Sequence, residues 1–402
     1  MKVAILYNRL FEFDGSCLTV GGIQTYLLKL AGLIADMGWE PIIFQLAEAD
    51  FEREVGHVRI SGKHGIPIGS SGEVLGRFLA NFAQEWVGSD DGILVFGTDT
   101  FFVNTAIKSI AIQHGVFWDL PCTEMPRALD YLRVLPTRYN EKLNGLVKGF
   151  RESRINRIRR AWMSAGKDIN DANNKIQFMV CVDYNYYNVC KAQGKRLTAH
   201  TWIIPNFADY LTPEEIFSKQ NSGATVRILF ARRFFWYRGT RLIAPVFGRI
   251  ISEFPHVSIT MAGDGPDEDW LREYFRGLDR VVFSKYEHHE SKSVLLSHDV
   301  AVVSSLGSEG TSLSAIEAMG AGCTVVATCV GGLTNIIIDG HNGKLALPDE
   351  ESLYAALSQV VANAALRKRL AGNAYETVKD AFSIELWREK WRQVLTAVSA
   401  YQ

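Results

Sequence analysis

The sequence contains few cysteines and no long apolar run. Its six cysteines are scattered through 402 residues and never have the Cys-x-x-Cys spacing, which argues against a zinc site or a redox pair. No apolar stretch approaches the ~20 residues that a membrane-spanning helix needs. The first residues, Met-Lys-Val-Ala-Ile-Leu-Tyr-Asn, are typical of a short strand and not of a signal peptide. We therefore expect reduced thiols and a cytoplasmic protein.

The chain as a whole also lacks a charge bias. It has 43 Lys and Arg residues against 44 Asp and Glu residues, so its net charge gives no reason to predict nucleic acid as a partner. The exception is the segment 124–167, in which eleven basic and four acidic residues give a balance of +7. Leu143, Leu146, Val147 and Phe150 form a helical stripe within it.

A basic amphipathic segment of this kind suits an anionic membrane surface, so we expect the protein to contact the inner face of a membrane through 124–167. Two alternatives remain open at this point. The segment is either a solvated helix with a core-facing stripe, or a docking face for an acidic acceptor.

The apolar pattern predicts an α/β fold with two domains. A chain of 402 residues exceeds the roughly 250–300 residues at which single cores stop growing. Short runs rich in Val, Ile and Phe recur without alternation, as in strands buried on both faces of a parallel sheet. Helical patterns such as Ile23–Met37 lie between them, which indicates two doubly wound domains. The polar segment 207–223 suits a linker.

Ligands of doubly wound sheets bind at the carboxyl ends of the strands, so two facing sheets predict a site in the cleft between them. The strongest candidate segment follows the Val300–Val303 run. Glu309 lies in its loop, and Glu317 lies eight residues on, about two helical turns later. The N–H groups of Gly310, Thr311, Ser312 and Leu313 at the helix start suit an anionic diphosphate.

Two glutamates beside a phosphate site fit a nucleotide sugar, because carboxylates accept hydrogen bonds from vicinal hydroxyls. The alternative is a capped helix, with Glu309 favoured by the helix dipole and Glu317 on a solvated face.

Arginines follow the first strand of the second half, in Phe-Ala-Arg-Arg-Phe-Phe-Trp-Tyr-Arg-Gly-Thr (230–240). Two cations at a strand end can neutralise a leaving diphosphate, and the arginine fork can engage two phosphate oxygens. Arg233 and Arg238 are the candidates, and Arg232 competes with Arg233 for the role. The alternative is a solvated basic surface.

Three further motifs follow strands. Gly21-Gly22 opens a helix, His114 lies between Gln and Gly after a strand, and Ala-Gly-Asp-Gly-Pro occupies 262–266. Each has a structural alternative, as a helix entry, a packed histidine or a tight turn. No Gly-x-Gly-x-x-Gly follows the first strand, which argues against a dinucleotide oxidoreductase. The acidic run 267–269 has Asp-x-Asp spacing, but it opens a helix, where acidic residues suit the dipole.

Together these motifs resemble the retaining glycosyltransferase family 4, whose members have the GT-B fold. The family has a Glu-x7-Glu region that ends in a small-residue run and a Gly-Gly, here Gly331-Gly332. It also has an Arg followed five residues later by Lys-Gly, matched by Arg233 and Arg238-Gly239, and an Ala-Gly-Asp-Gly-Pro turn. The chain departs by reading Glu-Gly-Thr-Ser-Leu for the commoner Glu-Gly-Phe-Gly-Leu, and Arg for Lys.

The resemblance implies a role for each motif. Glu309 meets the transferred sugar and Glu317 the ribose, while Arg233 and Arg238 stabilise the leaving diphosphate. His114 lies near the donor sugar. The glycines expected to border the donor phosphate or to shape the nucleotide pocket are Gly21, Gly22, Gly263 and Gly265. Separately from the resemblance, Tyr286 and Lys285 follow the Val281–Phe283 run and are candidates for contact with the base. Cations and helix ends replace a metal in such enzymes, so we expect no metal and no cofactor.

The predicted function is transfer of a hexosyl residue from a UDP- or GDP-sugar to a hydroxyl of a glycan or lipid-linked glycan. The setting that we expect is bacterial surface polysaccharide or lipopolysaccharide synthesis. We expect an acceptor-binding domain at 1–206, a nucleotide-sugar domain at 207–384 and a returning helix at 385–402. A sugar-phosphate epimerase or phosphorylase, and a silent binding subunit, are the alternative classes.

Overall fold

The computed structural model describes residues 1–19, 21–88, 91–115, 176–192, 200–212, 214–215, 219, 225–286, 290–307 and 309–401. The basic segment 124–167 lies outside these residues, so the prediction of a membrane-facing surface there stays a prediction.

The first domain contains an eight-stranded sheet with the order β3-β4-β2-β1-β5-β6-β7-β8. Only β3 runs antiparallel to its neighbour, at one edge. The strands are β1 Lys2–Leu6, β2 Glu40–Leu46, β3 Phe51–Val55, β4 Val58–Lys63, β5 Ile93–Phe96, β6 Lys108–Gln113, β7 Phe178–Cys181 and β8 His200–Ile203. The helices are α1 Gly22–Asp36, α2 Gly72–Val87 and α3 Tyr184–Ala192.

The second domain contains a parallel six-stranded sheet with the order β11-β10-β9-β12-β13-β14. Its strands are β9 Val226–Ala231, β10 Val257–Ala262, β11 Val281–Ser284, β12 Val300–Val303, β13 Thr324–Thr328 and β14 Lys344–Ala346. Its helices are α4 Thr240–Glu253, α5 Glu268–Tyr274, α6 Ser291–Leu296, α7 Leu313–Gly320, α8 Glu350–Ala362 and α9 Ala364–Ala381.

Both sheets are buried on two faces. In β1, Val3 and Ile5 belong to one hydrophobic cluster while Ala4 and Leu6 belong to another on the opposite face. Successive strand residues point to opposite faces, so an unbroken apolar run is what a doubly covered strand requires. The predicted α/β architecture with two parallel-sheet domains is confirmed.

The final helix, α10 (Ile384–Ala400), packs into the core of the first domain. Trp387 and Trp391 are fully buried there against α1, and the Trp391 indole donates a hydrogen bond to the Tyr26 hydroxyl at 2.8 Å. The last helix therefore ties the end of the chain to the domain in which the chain begins. Among the described residues, no helix is both long and apolar enough to cross a bilayer.

Candidate functional site

The candidate site is built where β9 and β12, neighbours at the centre of the second sheet, end. The short 3-10 helix Trp236–Arg238 follows β9 and packs on the end of β12. A Cβ on Gly239 would lie 1.7 Å from the Ser304 carbonyl oxygen, and its φ of 76° favours glycine. The glycine therefore lets the turn approach β12 closely, and this contact determines the position of the Arg238 backbone.

Glu309 is the centre of a buried ionic cluster. One carboxylate oxygen, Oε1, accepts hydrogen bonds from the guanidinium groups of Arg232 and Arg238 and, at 2.5 Å, from the Ser305 hydroxyl. The Glu309 and Arg232 side chains are each 6% exposed, whereas Arg238 is 26% exposed. Arg238 is therefore the member of the cluster with a face open to a ligand.

The cluster holds Glu309 ionised. Burial alone would raise the pKa of this carboxyl, but Arg232 and Arg238 outweigh burial and hold the pKa below its ordinary value. Burial lowers the pKa of Arg232, and Glu309 partly offsets that effect. Two cations and one anion leave an excess positive charge in a water-poor site, where an incoming anion is strongly attracted.

Serines fix Arg232 in place. Its Nη1 donates to the hydroxyls of Ser312, at 3.2 Å, and Ser314. Its Nη2 donates to Ser305 at 2.9 Å as well as to Glu309. The commoner form of the loop has a glycine where this chain has Ser312. The serine therefore supplies a hydrogen-bond acceptor for the buried Arg232.

Arg233 is exposed, whereas the preceding Arg232 is buried. The Arg233 guanidinium carbon is 5.2 Å from the centre of the Phe235 ring. Arg232 and Phe234 donate backbone hydrogen bonds to Ala262 and Asp264, and Phe235 donates one to Arg233, so the chain turns just after β9. The structure thus brings Arg232, and not the favoured Arg233, to Glu309, and a role for Arg233 at the diphosphate stays a prediction.

The start of α7 meets the strand ends of the first domain. Thr311 donates its hydroxyl proton to the Val182 carbonyl and accepts, on its own carbonyl, a 2.7 Å hydrogen bond from Asn206. A Cβ on Gly310 would lie 2.5 Å from the His114 carbonyl oxygen. A Cβ on Gly22 would lie 2.7 Å from Leu313. Predicted residues from both domains therefore converge on one place.

His114 is held as a neutral donor. Its Nε2 lies 2.9 Å from the Gly97 carbonyl, and its ring packs edge-on against Tyr26. Burial lowers the pKa of His114 to about 4, so the ring is neutral at physiological pH. The imidazole can therefore orient a sugar, but it does not supply positive charge.

The second turn of α7 contains another carboxyl group, that of Glu317. Burial, with the Asp209 charge as the second cause, raises the pKa of Glu317 to about 7. Burial and the nearby Glu317 carboxylate raise the pKa of Tyr286. The two residues predicted at the ribose and the base are therefore close enough to influence each other.

Gly263 and Gly265 pack against the arginine segment. A Cβ on Gly263 would lie 2.1 Å from the Arg232 carbonyl oxygen, and one on Gly265 would lie 2.7 Å from that of Phe234. Both have positive φ, at 152° and 143°. Their direct contribution is to the placement of the arginines, and contact with the nucleotide stays a prediction.

Acidic side chains at the start of α5 form ion pairs and a hydrogen bond with neighbouring side chains. Asp267 accepts from the Thr240 hydroxyl and pairs with Arg241, while Glu268 pairs with Arg272 and Lys285. Across the described ranges, no group of three His, Cys, Asp or Glu side chains could share a metal ion.

Ser305 and Ser314 were not singled out from the sequence, although both contact the cluster. A signal for Ser305 existed, since it is the second residue after β12, at the strand end where ligands of such sheets bind. Ser314 carries no comparable signal, because a serine in the first turn of a helix is common on any solvated surface.

Comparison with known proteins finds similarity both in sequence and in fold. The family "Glycosyl transferases group 1" matches residues 225–363. The gpi3 subunit of a phosphatidylinositol N-acetylglucosaminyltransferase from Schizosaccharomyces pombe is 29% identical over 187 residues, 45% of this chain and 40% of that protein. A phosphatidyl-myo-inositol mannosyltransferase from Mycolicibacterium smegmatis is 23% identical over 370 residues, 89% of this chain and 86% of that protein.

The fold is shared more widely than the sequence. The crystal structure of Anabaena HepE in complex with UDP-glucose superposes with a TM-score of 0.67 at 16% identity, over 99% of this chain and 100% of that one. The first of the relatives above is matched over less than half of its length, so the match there is local. Residues 225–363 are thus similar to the group 1 glycosyltransferases, and the full-length structural likeness shows that the chain has the GT-B fold.

Proposed function

We propose that the protein transfers a hexosyl residue from a UDP- or GDP-sugar to a hydroxyl of a glycan or lipid-linked glycan acceptor, with retention of anomeric configuration. The observation that carries the proposal is the buried Arg232–Glu309–Arg238 cluster at the start of α7, where the two domains meet. HepE, which has the same fold, was crystallised with UDP-glucose, and this supports a uridine nucleotide as the first candidate.

In this mechanism the donor diphosphate binds beside Arg238 and the N-terminus of α7. Negative charge grows on the phosphate oxygen as the glycosidic bond breaks, and preorganised cations stabilise that charge. Exposed Arg233 can add a second cation from the same loop. The departing phosphate takes the proton of the acceptor hydroxyl as that hydroxyl attacks the same face of the sugar. No metal is required, because arginines and helix amides supply the positive charge.

Glu309 and Glu317 divide the recognition of the donor. Glu309, ionised by its arginine partners, accepts hydrogen bonds from hydroxyls of the transferred sugar. Glu317, two turns later, accepts them from the ribose. His114 adds a neutral contact from the first domain. Glu309 and His114 lie beside the start of α7 and Glu317 lies in its second turn, so the three groups can contact the sugar and the nucleoside together.

Separate observations support the proposed class of acceptor. One relative in the comparison is a phosphatidyl-myo-inositol mannosyltransferase, which fits a membrane-borne acceptor. The +7 balance of segment 124–167 fits an anionic surface. Co-sedimentation with vesicles of anionic and of zwitterionic lipid tests this. Salt-sensitive binding to anionic vesicles alone is the expected result, and equal recovery with both kinds would oppose it.

A donor screen tests the central proposal. Thermal unfolding is measured with UDP-, GDP- and ADP-sugars, and the cognate donor should raise the melting temperature by mass action. Product analysis with that donor alone follows. Slow hydrolysis to nucleoside diphosphate and free α-configured sugar supports retaining transfer. An intact nucleotide sugar with an altered sugar would instead identify an epimerase, and no binding of any donor would refute the proposal.

A further inference from the structure

The His114 imidazole is held by a hydrogen bond and by a ring contact. Its Nε2 lies 2.9 Å from the Gly97 carbonyl oxygen, which can only accept, so Nε2 carries the proton. The neutral ring then keeps Nδ1 as its acceptor, and this is the atom that can accept a hydrogen bond from a sugar hydroxyl. A single hydrogen bond fixes one ring atom, so the tilt of the imidazole depends on what packs against it.

The ring contact is with Tyr26, a residue of α1 that is 2% exposed. The centres of the Tyr26 and His114 rings are 5.2 Å apart and their planes lie at 87°, which is an edge-to-face arrangement. Such a contact is directional, so a tilt of the Tyr26 ring would change the tilt of the imidazole. Tyr26 is therefore placed to set the direction of Nδ1.

The Tyr26 hydroxyl does something that core packing does not require. Phenylalanine would fill the same space without a polar group, and a buried hydroxyl without a partner is costly. The hydroxyl accepts a 2.8 Å hydrogen bond from the indole of Trp391, which is itself fully buried. Burial raises the pKa of Tyr26, so the phenol stays protonated at physiological pH. The hydrogen bond to the indole therefore holds the Tyr26 ring in one position.

The helix that supplies this indole, α10, enters the first domain directly from the second. The Ala208 N–H donates to the Phe382 carbonyl at 3.0 Å, so the two places where the chain crosses between the domains are hydrogen-bonded to each other. The ring centre of Phe207, beside this crossing, lies 4.6 Å from that of Trp387, and the Trp387 ring is edge-on to Tyr26 at 5.1 Å. Residues at or near the crossing therefore hold Tyr26.

We propose that Tyr26 is a positioning residue, through which the docked helix α10 sets the direction of the His114 imidazole toward the transferred sugar. This inference rests on the proposed function, in which His114 contacts that sugar. It gives a reason for a tyrosine at a core position of α1 and for an indole donor from the far end of the chain. Docking of α10 then matters for turnover as well as for stability.

Tyr26→Phe tests the inference, because it removes the hydroxyl and keeps the ring. We expect kcat for transfer to fall about fivefold, the scale of one lost hydrogen bond. The Kd for UDP, which lacks the transferred sugar, should stay within about twofold of the wild-type value by calorimetry. Trp391→Phe removes the donor of the same hydrogen bond and should also lower kcat. In a His114→Ala background Tyr26→Phe should lower kcat no further, because residues that act through one another are not additive.

Histidine NMR separates positioning from a general loss of stability. With isotope-labelled histidine, the His114 signal is assigned from its absence in His114→Ala, and it should shift or broaden in Tyr26→Phe. Tyr375→Phe is the matched control, because the Tyr375 hydroxyl donates a 3.0 Å hydrogen bond to the Leu211 carbonyl in the second domain. The control also loses one tyrosine hydrogen bond, and it should leave both the His114 signal and kcat unchanged. Thermal unfolding of each variant reports its stability.

Two results would overturn the inference. One is a kcat or a His114 signal in Tyr26→Phe that matches the wild type. The other is an equal loss of kcat from Tyr26→Phe in the wild-type and His114→Ala backgrounds, which would make Tyr26 act independently of His114. Absence of UDP binding and turnover in the wild-type protein would instead refute the proposed function, so the two failures are distinguishable.

Discussion

The two ends of α7 place carboxylates in opposite environments. Glu309, just before the helix, is paired with Arg232 and Arg238, which hold its pKa below the ordinary value despite burial. Glu317, in the second turn, is desolvated and near Asp209, and its pKa rises to about 7. A carboxylate with a lowered pKa therefore precedes the helix, and one with a raised pKa lies in its second turn. The sequence spacing makes the two glutamates look alike, but burial and neighbouring charges shift their pKa values in opposite directions.

The largest expected effect comes from neutralising Glu309. Glu309→Gln keeps the shape and removes the charge, so the sugar loses a charged acceptor that is aligned before the reaction. We expect kcat for transfer to fall by about 10²–10³-fold, the usual cost of one preorganised electrostatic group. Initial rates at saturating donor measure it. Turnover within a few-fold of wild type would remove Glu309 from the mechanism.

Arg238→Gln is expected to have the next largest effect, because Arg238 is the partly exposed cation of the cluster. It should lower kcat/KM by about 10²-fold and weaken UDP binding, since charge-assisted contacts to phosphate are lost. Calorimetry with UDP separates the two contributions. An unchanged Kd for UDP would show that the diphosphate binds elsewhere.

In contrast to Glu309→Gln, Glu317→Gln should affect donor binding more than the chemical step. A hydrogen bond to a charged group is worth about 1.5–3 kcal/mol. We expect donor KM to rise about tenfold, with kcat close to that of the wild type. Matched kinetics of Glu309→Gln and Glu317→Gln therefore sharpen the contrast. A larger loss of kcat in Glu317→Gln than in Glu309→Gln would reverse the assignment of the two carboxylates.

The smallest expected effect is in the pH dependence. Glu317 has a raised pKa of about 7, so it is protonated below that pH and becomes a full acceptor above it. Donor KM should therefore fall several-fold from about pH 6 to about pH 8. Glu309, with its lowered pKa, stays ionised throughout and adds no such change. In Glu317→Gln the KM profile should be flat, and a profile that keeps its slope would trace the titration to another group.

The fold, and the strand ends at which the candidate residues gather, were predictable because they depend on local patterns. Buried parallel strands such as β1 and β12 appear as apolar runs, and ligand-facing residues follow them. The choice between Arg232 and Arg233 was not predictable in this way. It depends on the partners that bury Arg232, which are Glu309 and the serines near the start of α7, and only the tertiary fold brings them together. The raised pKa of Glu317 likewise depends first on burial and then on the nearby Asp209, and only the tertiary fold supplies both.

The account depends most on where the nucleotide binds, and hydrogen–deuterium exchange tests that directly. With saturating UDP, amides at Gly310–Leu313 and in the 232–239 loop should exchange more slowly, because the diphosphate binds the start of α7 and the arginine loop beside it. The same experiment with Arg238→Gln should show weaker protection at both places. Confirmed UDP binding with protection confined to other segments, and unchanged exchange at Gly310–Leu313, would contradict the account.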